Sequence, residues 1–186
     1  MFRRIYRSGH IVITSVCTQG VLSHHLGSEQ VNVVNAIHLA KLRDIHLTVR
    51  KSLFTESAFN EITLRLKTTI EERWVTGTSL PSAGGRLVRI GPYPIDLLPE
   101  GHVLLISQQD KPGIIGRVGT LLGDSGINIA TMQVGQNEVD GSAVMILKID
   151  KKASRNVMES LLAIPEIKRV REISFDECGV TGGEET

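Results

Sequence analysis

The spacing of apolar residues changes twice along the chain, and each change marks a different kind of element. Residues 2–7 read as a short strand that turns at Ser8-Gly9. Ser15 stands where a helix can be capped, and that helix would run to about Leu26 and stop at Gly27. Asn32 offers a second cap, ahead of Val34, Ile37, Leu39, Ala40 and Leu42, which form one broad apolar helical face. The period then shortens to two: Ile62, Leu64 and Leu66 alternate with Thr63, Arg65 and Lys67, as in a half-buried strand. Further strands are expected over residues 73–80, 86–90 and 94–97, with Gly84-Gly85 and Gly91-Pro92 as the turns between them.

Pro99-Glu100-Gly101 forms a junction, beyond which the pattern sharpens. Residues 102–107 read as a strand, and Asp110-Lys111-Pro112-Gly113 opens a helix with Pro112 near its first position, where a missing N–H costs nothing. Ile114, Ile115, Val118, Leu121 and Leu122 share one helical face, and Gly126 ends it. A second strand over 127–136, a hairpin loop at 137–141 and a third strand over 142–150 follow. Ser154 can cap a helix that turns Val157, Leu161 and Leu162 inward, Pro165 closes it, and residues 167–175 form the last strand. The order βαββαβ is that of a ferredoxin-like sheet carrying two helices on one face. The chain is thus α+β: a mixed α/β domain over residues 1–99, a ferredoxin-like domain over 101–175, and an acidic, glycine-containing tail over 176–186 that is expected to be disordered.

Composition narrows the function. The 186 residues are 41% hydrophobic and 22% charged with net charge +1, as in an ordinary globular protein with no global field for nucleic acid. Cys17 and Cys178 are far apart and form no CxxC, which suits a reducing compartment. No run of roughly 20 apolar residues exists to span a membrane. A cytoplasmic location is expected. The alternative is an organelle stroma or matrix, because Arg3, Arg4 and Arg7 precede an acid-free stretch to Ser28 that resembles a transit segment.

Several chemistries fall away. Gly113, Gly116, Gly119 and Gly123 are closely spaced, but no two glycines stand as GxG and no Walker motif occurs. The bland reading is that small residues let this helix pack closely on its sheet. The six histidines contain no HxxxH, and Cys17 lacks nearby ligand partners, so no metal or nucleophile site is indicated. A βαββαβ sheet can also stack RNA bases on aromatic side chains, but no aromatic residue lies between Tyr93 and Phe175. What remains is the loop Gln108–Gly113. A carboxylate ahead of a helix N-terminus can receive an ammonium, while backbone N–H groups there attract a carboxylate, so together they could hold a zwitterionic amino acid. Asn128 adds an amide that can donate and accept. Equally, Asp110 can simply cap the helix and Asn128 simply tolerate a turn.

The run Asp110-Lys111-Pro112-Gly113-Ile114-Ile115-Gly116-Arg117-Val118-Gly119, with Gly126-Ile127-Asn128-Ile129-Ala130-Thr131-Met132-Gln133-Val134-Gly135, resembles an ACT domain, the small-molecule regulatory module of amino-acid metabolism. It closely resembles the C-terminal ACT domain of the D-3-phosphoglycerate dehydrogenase family. Val31-Asn32-Val33-Val34-Asn35-Ala36 and Leu39-Ala40-Lys41 resemble a motif of that family's intervening, allosteric substrate-binding domain, and Gly77-Thr78, Gly84-Gly85 and residues 86–90 fit its later strands.

The resemblance implies a regulatory portion of an enzyme that oxidises 3-phosphoglycerate with NAD, the first committed step of L-serine synthesis. The catalytic and NAD-binding domains of that family have no counterpart in this sequence, so no cofactor and no catalytic residue is expected here. It further implies ACT domains paired side by side in a homodimer or tetramer, with L-serine or another small amino acid bound across the pair for feedback inhibition. By motif position the contacts are Gln108 and Asp110 of one chain, backbone at Pro112 and Gly113, and Asn128 of the other. Arg86 matches an anion-effector position of some members, although Tyr93, Pro94 and Leu98 stand where those members have basic residues. Two other readings compete: a free-standing ACT regulatory subunit resembling that of serine dehydratase, and an oligomerisation module that binds nothing.

Overall fold

A computed structural model describes residues 5–51, 60–80, 84–137 and 140–175, with side chains from residue 11 onward. The acidic tail and Cys178 lie outside these residues. The elements are α1 (Ile5–Leu26), α2 (Ala36–Lys41), β1 (Glu61–Lys67), β2 (Glu72–Leu80), β3 (Gly84–Ile90), β4 (Tyr93–Leu97), β5 (His102–Gln109), α3 (Ile114–Asp124), β6 (Ile129–Gln136), β7 (Ser142–Ile149), α4 (Arg155–Leu162) and β8 (Ile167–Ser174). They form two compact units, residues 1–56 and 57–186.

In the first unit the expected strand and turn over residues 2–9 are replaced, from Ile5 on, by the first turns of α1. No proline precedes Pro81, so nothing bars one continuous helix. Ser15 is therefore a buried interior position, not a cap, and it shares the buried face with Thr18 and Leu22 at helical spacing. The Thr18 hydroxyl is satisfied by donating to the Thr14 carbonyl at 2.7 Å. Gly27, at φ +87°, ends the helix as its left-handed stop. Asn32 Oδ1 accepts from the backbone N–H groups of Val34 and Asn35, both at 2.9 Å, and so sets the turn before α2. That turn keeps Val34 out of the helix, and both Val34 and Leu42 are exposed, against the expected apolar face. The core here is small: Leu22, Val31, Ala36 and Ala40.

The second unit holds two four-stranded antiparallel sheets, ordered β1-β2-β3-β4 and β6-β7-β5-β8. The second order is that of a ferredoxin-like fold, as expected. Leu104, Ile106, Met145, Leu147 and Ile149 point to the face covered by Ile114, Val118 and Leu122 of α3 and by Val157 and Leu161 of α4. Val103, Val144 and Ile146 point the other way, into a second apolar cluster with Leu97, Leu87, Ile90 and Tyr93. The ACT-type sheet is thus covered twice, and β7 is buried along most of its length.

Several local expectations change. Helix α3 begins at Ile114 with Gly113, at φ +89°, as its N-cap, so Pro112 lies ahead of the first helical position. Ile115 is 50% and Leu162 47% exposed, because the buried arcs of α3 and α4 are completed by Ile114–Val118–Leu122 and Val157–Leu161. β6 starts at Ile129, and Gly84-Gly85 opens β3. The glycines of α3 do not serve close packing, since a Cβ at Gly116, Gly119 or Gly123 would meet nothing within 4 Å. Close approach occurs instead at Gly135 of β6, where a Cβ would lie 2.7 Å from the Pro94 carbonyl oxygen and 3.1 Å from Tyr93 Cβ. Gly135→Ala is therefore expected to force β4 off β6 and cost about 1–3 kcal/mol, read as a lower urea midpoint with an unchanged slope. A midpoint equal to wild type would mean that β4 does not press on this strand.

Candidate functional site

The loop between β5 and α3 is anchored by main-chain bonds. Gln109 N–H donates to the Glu166 carbonyl at 2.9 Å, and Asp110 N–H to the Gly141 carbonyl at 3.1 Å. The Asp110 side chain makes no cap to α3; its Oδ2 accepts from Gln136 Nε2 at 2.6 Å. The capping alternative is thereby replaced by an exposed carboxylate held open beside the first turn of α3. The N–H groups of a first helical turn have no carbonyl partners within the helix, so an anion is favoured there. Arg117 closes one flank through an ion pair with Glu166 at 2.7 Å, which holds the Glu166 carboxyl below its ordinary range.

Gln108 sits two residues before Asp110 on the helix-facing side of β5, next to a register irregularity between β5 and β8 at Ser107/Gln108. It is 2% exposed, and its Oε1 is sealed from solvent without a hydrogen-bond partner. A ligand reaches that oxygen only if the side chain turns outward.

Asn128 is exposed and fixed through its main chain: its N–H donates to Asp150 Oδ1 at 2.9 Å and its carbonyl accepts from Asp150 N–H at 3.1 Å. It precedes β6, whereas Asp110 follows β5. The register pairs Ile129 with Ile149 and His102 with the same residue, while Gln136 and Gln108 both pair with Ala143. Asn128 and Asp110 therefore lie at opposite ends of the sheet, roughly 25 Å apart at about 3.3 Å per strand residue. One chain does not bring them together.

Arg86 lies on the other sheet, its guanidinium ion-paired with Asp96, so its charge already has a partner. Gly116, Gly119 and Gly123 lie inside α3 and not in a strand-to-helix loop. Among the described residues no group of three or more His, Cys, Asp or Glu could hold a metal, and no helix is long and apolar enough to cross a membrane. The sequence reading missed Gln136, Gly141 and Glu166. Each reaches the loop through strand pairing or the β8 approach, for which spacing carries no signal.

The profile of the ACT domain matches residues 102–166, and that of the D-3-phosphoglycerate dehydrogenase intervening domain matches residues 7–91. The chain is an intervening domain followed by an ACT domain of the D-3-phosphoglycerate dehydrogenase family. It is 39% identical over 165 residues to D-3-phosphoglycerate dehydrogenase of Bacillus subtilis, covering 87% of this chain and 31% of that protein. It is 36% identical over 145 residues to the enzyme of Methanocaldococcus jannaschii, covering 78% and 27%. The chain spans less than a third of the length of these D-3-phosphoglycerate dehydrogenases.

The buried Gln108 oxygen yields a prediction. Gln108→Leu replaces an orphaned carbonyl with an apolar group of similar size, so the ligand-free protein is expected to gain about 1 kcal/mol in urea unfolding. A loss of stability would show that the amide is satisfied in solution.

Proposed function

We propose that this chain is the amino-acid-sensing regulatory portion of a D-3-phosphoglycerate dehydrogenase. In this reading L-serine binds between two ACT domains and lowers the activity of the longer enzyme, whose NAD-dependent chemistry resides in residues beyond this chain. The observation that carries the reading is the separation of Asp110 from Asn128. Both can serve one ligand only if a second copy supplies the other. β6 is an edge strand, and an antiparallel pairing of two β6 strands about a two-fold axis near Met132 would set Asn128 of one copy opposite Gln136 of the other. Gln136 is the residue that holds Asp110. Ile115, exposed, and Gly119, open to any neighbour, share a side of α3 at helical spacing and leave room for a facing helix.

Chemically, the Asp110 carboxylate receives the ligand ammonium, the backbone at Pro112-Gly113 and the first turn of α3 receive its carboxylate, and the Asn128 amide reads its hydroxyl. Gln108 supplies a further acceptor once turned outward. The assembly is a homodimer or tetramer of cytoplasmic location, with no role for nucleic acid or membrane. Effector binding acts by stabilising one arrangement of paired tails.

Thermal unfolding with L-serine, and with glycine, L-threonine and L-valine as controls, tests this. At 100 times its dissociation constant a ligand adds about 2.7 kcal/mol, which for this chain length raises Tm by roughly 5–10 °C. Asp110→Ala is expected to abolish the shift while leaving the ligand-free Tm within a few degrees. No shift with any of the four amino acids would overturn the effector reading and leave an oligomerisation module.

A further inference from the structure

The turn between β6 and β7 is held from two sides at its β7 end. On one side, Asp110 N–H donates to the Gly141 carbonyl at 3.1 Å and Gln109 Nε2 donates to the same oxygen at 3.3 Å. On the other, Tyr93 Oη of β4 lies 2.7 Å from Ser142 Oγ. Ser142 Oγ is 2.5 Å from Asp140 Oδ1, and Ser142 N–H also donates to that oxygen at 2.9 Å. A serine hydroxyl has one proton. Asp140, ionised, can only accept, so the Ser142 proton goes to Asp140 and Tyr93 must donate to Ser142. The result is a one-way chain from Tyr93 through Ser142 to Asp140, with each bond polarising the next. The two Ser142 bonds also hold the Asp140 carboxyl below its ordinary range, so the chain stays charged at neutral pH.

The loop that faces the proposed ligand and the strand β4 that precedes the ACT domain therefore grip the same three residues. We propose that the turn Asp140–Ser142 relays the state of the Asp110 loop to β4, with the Tyr93 hydroxyl as the last link. Gln136 starts the relay. Its amide occupies Asp110 Oδ2, and a ligand ammonium that takes the carboxylate competes with it and releases the end of β6. The proposal rests on the effector reading above only for the identity of the ligand.

The test uses amide 1H–15N spectra of the full 186-residue chain. Asp110→Asn perturbs the loop without ligand. In the wild-type background it is expected to shift amides in residues 93–97 as well as 108–113. In the Tyr93→Phe background the loop shifts persist and the β4 shifts fall at least threefold, an order-of-magnitude expectation for a lost coupling. Ser142→Ala cuts the same link from the other side and is expected to behave alike, which guards against a folding defect particular to Tyr93→Phe. The relay is overturned if β4 does not respond to Asp110→Asn, or responds equally with and without the Tyr93 hydroxyl. Adding L-serine separates the two ideas: a spectrum unchanged by L-serine everywhere overturns the effector reading, while the relay is still decided by Asp110→Asn.

Discussion

Strands β5 and β7 carry apolar side chains on both faces, and water must be kept from each face separately. Helices α3 and α4 cover one side through Ile114, Val118, Leu122, Val157 and Leu161. Leu87, Ile90 and Leu97, from the strands that precede the ACT domain, cover the other. Each fully buried aliphatic side chain is worth about 1.5–3 kcal/mol, so neither cover is dispensable. The rest of the second unit follows. β4 must lie against β6, Gly135 must have no side chain, and the Gln133 amide bonds the backbone of Asp96 in both directions, completing the polar groups of a strand that has no ladder partner there.

This double cover also explains why the boundary between modules in sequence is not a boundary in space. The intervening-domain profile ends at residue 91 and the ACT profile begins at residue 102, yet the compact units divide at Glu56/Ser57. Homology follows the order in which segments were joined, whereas compactness follows which apolar faces meet.

Much of the second half was legible because local and global signals agree there. The strands expected over residues 102–107 and 142–150, the cap at Ser154 and the stop at Gly126 all hold in the structure, the second of these strands ending at Ile149. Failures occurred where a residue type has two uses. Glycines in α3 were read as packing contacts, but their Cβ positions are empty; the tight approach is at Gly135, inside a strand, where period alone marks nothing. Ser8-Gly9 and Ser15 suggested a turn and a cap, yet with no proline before Pro81 the helix runs through both. At the candidate site the motif located Asp110, Gln108 and Asn128. It did not show that the first is held by Gln136, that the second is sealed, or that the third lies at the far end of the sheet. Those facts depend on strand register, which joins residues dozens of positions apart.

The second apolar face of the ACT-type sheet also bears on how this module can be handled and inherited. A segment cut free at Gly101 would expose Val103, Val144 and Ile146 together, on a sheet whose outer strands have open edges. Such a surface, flat, apolar and bordered by unpaired backbone, is the template for strand-to-strand aggregation. An ACT domain of this kind can be moved between proteins only with a lid of its own, so shuffling favours transfer of the pair, and expression of the isolated domain calls for polar replacements at those three positions.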